Sequence, residues 1–508
     1  MPKHLFYALC AGLLLLTGSA SAADRPPNLL FILADDLGYG DPAFMGGRDA
    51  QTPHLDALAA SGLTFTHAYA NAAVCAPTRA AIFSGQYAVR TGVYKVGGGR
   101  GRGGQATPAS QKLVTPQNVD HLAPDLVTLA EALSDAGYAS GHVGKWHLGT
   151  PGSANGPVAN GFDLTVGAAR GGGTRTYYAP WNLPNLGEAA DGTYLTDRLT
   201  EHAEGFIRDH ADRPFFLYAS HYAVHTPIEA DPAVLKRVKA RSPELSENAA
   251  EYAAVLESFD QGVGRLLAAL DEAGVADNTV VVFASDNGGH RRYGDMGPLR
   301  GNKGTLDEGG IRVPCTVRWT GTIAPGRTSD TPVALMDLYP TFLELAGARE
   351  PADQPIDGQS WVSLLKQPDT PAKALTDRPL FWYLPVYATG PSGRVTAPPQ
   401  AVIRRGPWKL VVNLENQDEK LFHLIDDPGE DRNRADSEPD VIDALKSDLV
   451  SWQLATNAPV PMRNPNYDPN AAAETSDRGR GRRNRGERGE RGERGQRGQR
   501  GDRQNRNR

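Results

Sequence analysis

Asn28-Leu-Leu-Phe-Ile-Leu-Ala34 runs directly into Asp35-Asp36. From Leu29 to Ala34 no polar residue interrupts the run, so the segment does not alternate and reads as a strand covered on both faces. Two carboxylates emerge where it ends. The same arrangement recurs three times. Tyr138-Ala-Ser-Gly-His-Val143 delivers Lys145 and His147, Pro214-Phe-Phe-Leu-Tyr-Ala-Ser220 leads to His225, and Asn278-Thr-Val-Val-Val-Phe-Ala284 leads to Asp286-Asn287. Helical periodicities stand between these strands: Leu55, Leu58 and Ala59 behind the capping pair Thr52-Pro53, then Leu126, Leu129, Ala130 and Leu133 within 125–137. A long helix is marked by Tyr252, Val255, Leu256, Phe259, Val263, Leu266, Leu267 and Leu270. Strands alternating with helices predict an α/β fold, a mainly parallel sheet flanked by helices, in which ligands bind at the carboxyl ends of strands. Every unusual polar cluster falls at that edge.

The rest of the chain divides around this body. Residues 1–22 run Lys3-His4, an apolar stretch from Leu5 to Leu16 and Ala20-Ser21-Ala22, the order of a secretory signal peptide and too short for a membrane span. The catalytic domain is expected over 23–376. From about Asp377 short strand-like pieces appear, among them Lys409-Leu-Val-Val-Asn413, followed by a helix from Pro439 to Leu454. They predict a smaller C-terminal subdomain, an antiparallel sheet plus a helix, over 377–460, with Lys409 on an ordinary edge strand in preference to the alternative, that Lys409 and Trp408 reach toward the first domain. Residues 461–508 form an Arg/Gly-rich tail with no apolar residues to bury from Arg478 on, and disorder is expected there. From Arg478 it carries 13 Arg against 4 Asp or Glu, a local +9 that hides in a net −6, so the remainder stands near −15. For an exported chain no nucleic-acid partner is expected, nor a membrane span once the signal is removed. The Gly97–Ser110 stretch reads as an exposed loop at the rim of a site.

Removing the signal leaves Cys75 and Cys315, which is no disulfide framework. Cys315 sits in a strand-like run where a small buried hydrophobe fits, and both thiols are expected free rather than bridged. Cys75 differs. In Asn71-Ala-Ala-Val-Cys75-Ala-Pro77-Thr78-Arg79 it lies at the mouth of a helix, with Pro77 suited to the first turn, where free backbone N–H groups attract anions.

Asp35, Asp36, Asp286 and Asn287 offer only oxygen ligands, which suit a hard divalent cation rather than zinc. Around them Arg79, Lys145, His147, His225 and Lys303 supply more cationic donors than a neutral substrate needs. Taken together they describe a metal-assisted pocket for an oxyanion ester.

These residues also resemble a family. Cys75-Ala-Pro77-Thr78-Arg79 looks like the signature of the type I sulfatases, in which Cys in a Cys-x-Pro-Ser-Arg setting becomes Cα-formylglycine; Thr78 stands here where Ser is usual. Gly144-Lys-Trp-His-Leu-Gly149 resembles the second signature of that family. Ala223-Val-His225-Thr-Pro, Asp286-Asn-Gly288 and the segment 301–314 are similar to later blocks, and the likeness spans about Pro27 to Asn457. It implies an alkaline phosphatase-like fold and one Ca²⁺ per chain, in preference to Mg²⁺, held by Asp35, Asp36, Asp286, Asn287 and modified Cys75. It further implies that Arg79 holds the formylglycine, that Lys145, His225 and Lys303 contact the sulfate and leaving oxygen, and that His147 drives release. The implied nucleophile is one hydroxyl of the aldehyde hydrate, which attacks sulfur, while the second later collapses to expel sulfate. A formylglycine-generating enzyme is the implied partner in maturation, and a sulfated carbohydrate met in the periplasm or outside the cell is the expected substrate. Two rival readings share these residues: a phosphonate monoester or phosphodiester hydrolase, and a non-catalytic binder of sulfated glycans that keeps Cys75 as a thiol.

Overall fold

A computed structural model of the chain describes residues 25–97, 107–389 and 395–471. The expected signal peptide, most of the Gly97–Ser110 loop and the tail beyond 471 lie outside the described residues. β1 (Asn28–Ala34) stands inside an eight-stranded sheet with β2 (Leu63–Phe65), β3 (Ala139–Gly144), β4 (Leu164–Val166), β5 (Phe215–Ser220), β6 (Thr279–Ser285), β7 (Cys315–Trp319) and β8 (Arg327–Ser329). Their spatial order is β8-β2-β7-β6-β1-β5-β3-β4, and every neighbouring pair is parallel except those made by β7.

The unbroken apolar run of β1 follows from this position, since alternate side chains enter two separate cores. Leu29, Phe31 and Leu33 pack with Ile82 and Phe83 of α2 (Cys75–Ser84), Leu133 of α3 (Leu129–Asp135) and Phe342 of the helix at Leu338–Ala346. Leu30 and Ile32 pack on the other face, with Leu55 of α1 (Pro53–Ala60), Leu199 of α4 (Leu195–Asp209) and Phe259 of α5 (Glu247–Glu272). These five of the seven β1 side chains are fully buried, each contributing about 1.5–3 kcal/mol. The expected helix over 125–137 begins only at Leu129, because Thr128 and Glu131 close a capping box, Glu131 N–H donating to Thr128 Oγ1 at 3.2 Å and Thr128 N–H to Glu131 Oε2 at 2.7 Å.

After α6 (Glu308–Ile311) and β7, the chain builds a second sheet in the order β9 (Leu380–Leu384), β10 (Gln400–Arg405), β11 (Trp408–Asn413), β12 (Glu419–His423), all antiparallel. The helix Pro439–Thr456 adds Ile442, Leu445 and Leu449 to the core of that sheet. One expectation is corrected here. β11 lies between β10 and β12, and Lys409 is buried against carboxylates of Glu308 and Glu430 rather than standing on an edge. The segment expected as tail from 461 also begins in ordered form, because Met462 and Arg463 pair with Val114 and Leu113 and Asn464 Nδ2 donates to Gln111 O at 2.8 Å. Among the described residues no helix is long and apolar enough to cross a membrane.

Candidate active site

Parallel strands bring their carboxyl ends to one edge, and the polar residues that follow β1, β3, β5 and β6 meet there. Backbone bonds lock these ends to one another: Asp286 N–H donates to Ala34 O at 3.1 Å, Asp35 N–H to Ala223 O at 2.9 Å and Lys145 N–H to Ser220 O at 2.7 Å. Cys75 enters from above as the first residue of α2, behind an extended Val74 that offers no side-chain cap. One ligand atom each from Asp35, Asp36, Cys75 and Asp286 falls within 4.8 Å of the others, and all four residues are buried. Asn287 joins them, its Nδ2 donating to Asp36 Oδ1 at 2.9 Å, while its Oδ1 is buried without a hydrogen-bond partner.

Each carboxylate also faces a cation. Lys145 Nζ lies 2.6 Å from Asp35 Oδ2, Lys303 Nζ 2.6 Å from Asp36 Oδ2, and Arg79 Nη2 2.7 Å from Asp286 Oδ2. Arg79 is fully engaged by the protein: its Nη1 donates to Lys145 O at 2.7 Å, Tyr218 Oη at 3.0 Å and Ser220 Oγ at 2.5 Å. It thereby fixes Asp286 and the Lys145 backbone together. Sequence reasoning passed over Tyr218 and Ser220, whose alternate positions in β5 put both hydroxyls on the Arg79 side of the sheet.

The two histidines are held differently. His225 Nδ1 sits 2.7 Å from Thr226 O, so it carries the proton, and Nε2 is turned toward Asp36 Oδ2 at 3.6 Å. His147 takes a left-handed backbone with φ 66°, as Asp36 does with φ 63°. Its ring lies against Gly172, where an added Cβ would come within 2.1 Å of His147 Cε1. The Gly171-Gly172-Gly173 triplet is the sequence signal for this approach, and it went unread. So did His290, whose pKa is lowered by burial and opposed by the nearby charge of Asp36.

Electrostatics follow from burial and pairing. Burial alone would raise Asp35, but Lys145 foremost, then His225, Arg79 and Lys303, hold it well below the carboxylate range. Burial and the charge of Asp35 raise Asp286. Burial also pushes the Cys75 thiol far up, so as a thiol it stays protonated, with Sγ 3.4 Å from Asp35 Oδ1. His147 is driven well down by burial and by Lys145, which leaves a neutral imidazole. Crowded carboxylates, an unpartnered amide oxygen and an all-oxygen side-chain set besides Cys75 fit a hard divalent cation. Beside the site, an apolar cavity of about 120 Å³ is lined by Val74, Tyr94, Leu306 and Trp382, one residue along the chain from Cys75.

A parallel-sheet body whose strand ends gather carboxylates, cations and a helix-start cysteine forms a pocket suited to an anionic ester. Residues 27–348 match the family described as Sulfatase, and residues 302–454 match N-sulphoglucosamine sulphohydrolase, C-terminal. A protein named Sulfatase from Formosa agariphila is 33% identical over 533 residues, covering 90% of this chain and 94% of its own length. The N-acetylgalactosamine-6-sulfatase of Homo sapiens is 33% identical, covering 72% of this chain and 69% of its own. The steryl-sulfatase of Mus musculus is 35% identical, covering 68% of this chain and 66% of its own. The crystal structure of Ps i-CgsB in complex with k-i-k-neocarrahexaose superposes with a TM-score of 0.73 at 28% identity, covering 87% of this chain and 96% of that one. The chain belongs to the sulfatase family, and it is a sulfuric ester hydrolase.

Proposed function

We propose that this enzyme is exported after loss of residues 1–22 and removes sulfate esters from a carbohydrate. Its catalytic domain spans 23–376 and its subdomain 377–460. Cys75 is converted to Cα-formylglycine by a maturation enzyme, and one Ca²⁺ is held by Asp35, Asp36, Asp286, Asn287 and modified Cys75. The observation that carries this reading is that one ligand atom each of Asp35, Asp36, Asp286 and Cys75 lies within 4.8 Å of the others, with Asn287 bonded to Asp36 beside them. As a buried thiol Cys75 is protonated and a poor nucleophile, whereas a formylglycine hydrate would present a hydroxyl to sulfur. The cation would lower the pKa of that hydroxyl and bring +2 to side chains whose three carboxylates and three cations otherwise cancel, which suits an anionic ester.

The chain's own groups supply the rest. Lys145 and Lys303 are positive donors for sulfate oxygens and for charge growing on the leaving alcohol, where one preorganised donor is worth roughly 10²–10³ in rate. His225 is oriented through its Nδ1–H bond to Thr226 O, and in the doubly protonated form its Nε2–H, beside Asp36, donates the proton to the leaving oxygen. His147, neutral and lodged against Gly172, acts as the base in sulfate release. Arg79 keeps Asp286 and Lys145 in place. The likeness to N-acetylgalactosamine-6-sulfatase and to a structure bound to an oligosaccharide supports a carbohydrate substrate. Mass spectrometry of the Cys75 peptide should find the aldehyde, and sulfated oligosaccharides should be cleaved faster than matched phosphate esters. Full sulfatase activity in Cys75→Ala would refute the reading.

A further inference from the structure

Glu308, Lys409 and Glu430 form a charged cluster with no side-chain exposure, at the seam between the α/β body and the second sheet. Lys409 Nζ donates to Glu308 Oε1 at 3.0 Å and forms an ion pair with Glu430 Oε1 at 2.9 Å. Glu430 Oε2 accepts the Glu308 N–H at 2.7 Å, and Tyr69 Oη donates to Glu308 Oε2 at 2.7 Å. Arg300 reaches over to donate to the Glu430 carbonyl. Three buried charges are costly to desolvate, and an apolar set of the same volume would hold two domains together as well or better. What the charges add is a fixed position for the backbone they grip.

That backbone is the start of α6, which closes the loop carrying Lys303. The loop is threaded between the site's two halves. Gly304 N–H donates to Ala73 O at 2.8 Å, two residues before Cys75, and Lys303 N–H to Gly289 O at 3.0 Å. On the far side Gly288 N–H donates to Gly310 O at 3.0 Å, and a Cβ at Gly288 would meet Gly309 O at 1.8 Å, so the α6 turn lies in backbone contact with the segment following Asn287. A shift of α6 would therefore move Lys303 relative to Asp36.

We propose that Lys409 and Glu430 are positioning residues: through them the C-terminal subdomain sets where the Lys303 ammonium stands. This rests on the reading of Lys303 as a sulfate contact. The test measures kcat and KM for Lys409→Met, Glu430→Gln, Lys303→Ala and the Lys303→Ala/Lys409→Met double variant, each normalised to its aldehyde content, with hydrogen exchange of residues 301–311. Lys409→Met is expected to lower kcat/KM about 10²-fold, as a misplacement near 1 Å does. The same change should cost under about 3-fold once Lys303 is gone, since coupled residues are non-additive. Exchange should rise in 301–311 while β1 and β6 stay protected. Glu430→Gln, which keeps the shape, should show a smaller loss of the same kind and carries the test if Lys409→Met does not fold. Losses that multiply in the double variant, or a lowered melting temperature with unchanged kcat/KM, would overturn the tether alone. Lys303→Ala at full rate would overturn both it and the role assigned to Lys303.

Discussion

Acidification should weaken this fold through two histidines that it keeps neutral. His142 in β3 and His221, immediately after β5, are fully buried. The His142 ring lies 5.8, 5.5 and 5.6 Å from those of Trp146, Phe162 and Tyr218, and its Nε2 has no partner among the described residues. Burial pulls its pKa from 6.5 down to about 3, and that of His221 down to about 4. Because the folded values lie below the unfolded one, stability is complete above 6.5. It is lost as pH falls toward the folded values, since the unfolded chain takes up protons that the native state refuses. At about pH 5, some 1.5 units below the unfolded value, each histidine opposes folding by about 2 kcal/mol and the pair by about 4 kcal/mol. Against a total of about 5–15 kcal/mol that is a large share. Calorimetric melting from about pH 7.5 to about 4.5 should show a steep fall for the wild type. His142→Gln and His221→Gln should start lower at neutral pH, having lost packing, but fall less steeply. An undiminished pH slope in both variants would show that these rings are not the acid-sensitive groups.

Other consequences concern the site. Gly172→Ala must push the His147 ring aside, so kcat should drop about 10²-fold with the melting temperature held within a few degrees; a kcat within about 3-fold of wild type would contradict the role given to that contact. Chelation of the proposed Ca²⁺ should abolish turnover yet leave the protein folded, because each site carboxylate keeps its own cation. The melting temperature should fall and recover on adding Ca²⁺, and an activity indifferent to chelation would remove the cation from the scheme. His147→Ala should release one equivalent of alcohol and then stall, whereas His225→Ala should slow the first release, most for poor leaving groups. A burst in His225→Ala and none in His147→Ala would reverse the two roles.

Much of this geometry is legible in the sequence because a parallel sheet converts chain order into place. Leu29–Ala34 and Val280–Ala284 are apolar without alternation only because both faces are covered, and once they are strands of one parallel sheet, Asp35 and Asp286 must emerge at the same edge. Lys409 is different in kind. A strand reading Trp-Lys-Leu-Val-Val-Asn serves equally at an edge or inside an antiparallel sheet, and its partners Glu308 and Glu430 lie 101 and 21 residues away with no local pattern to join them. The start of α3 was legible but passed over, since Thr128-x-x-Glu131 is itself a stop on reading the helix back to 125. Least legible is the backbone of Asp36 and His147, both left-handed at φ 63° and 66° although neither side chain requires it. Such conformers cost on the order of 1–3 kcal/mol each and survive only where the surroundings over-determine them. At Asp36 those surroundings are Lys303, Asn287 and the Asp286 carboxylate, and at His147 the face of Gly172. Local propensity fails at both residues, because long-range contacts, the Lys303 ion pair at Asp36 and the packing on Gly172 at His147, and not the local sequence, decide where the chain turns.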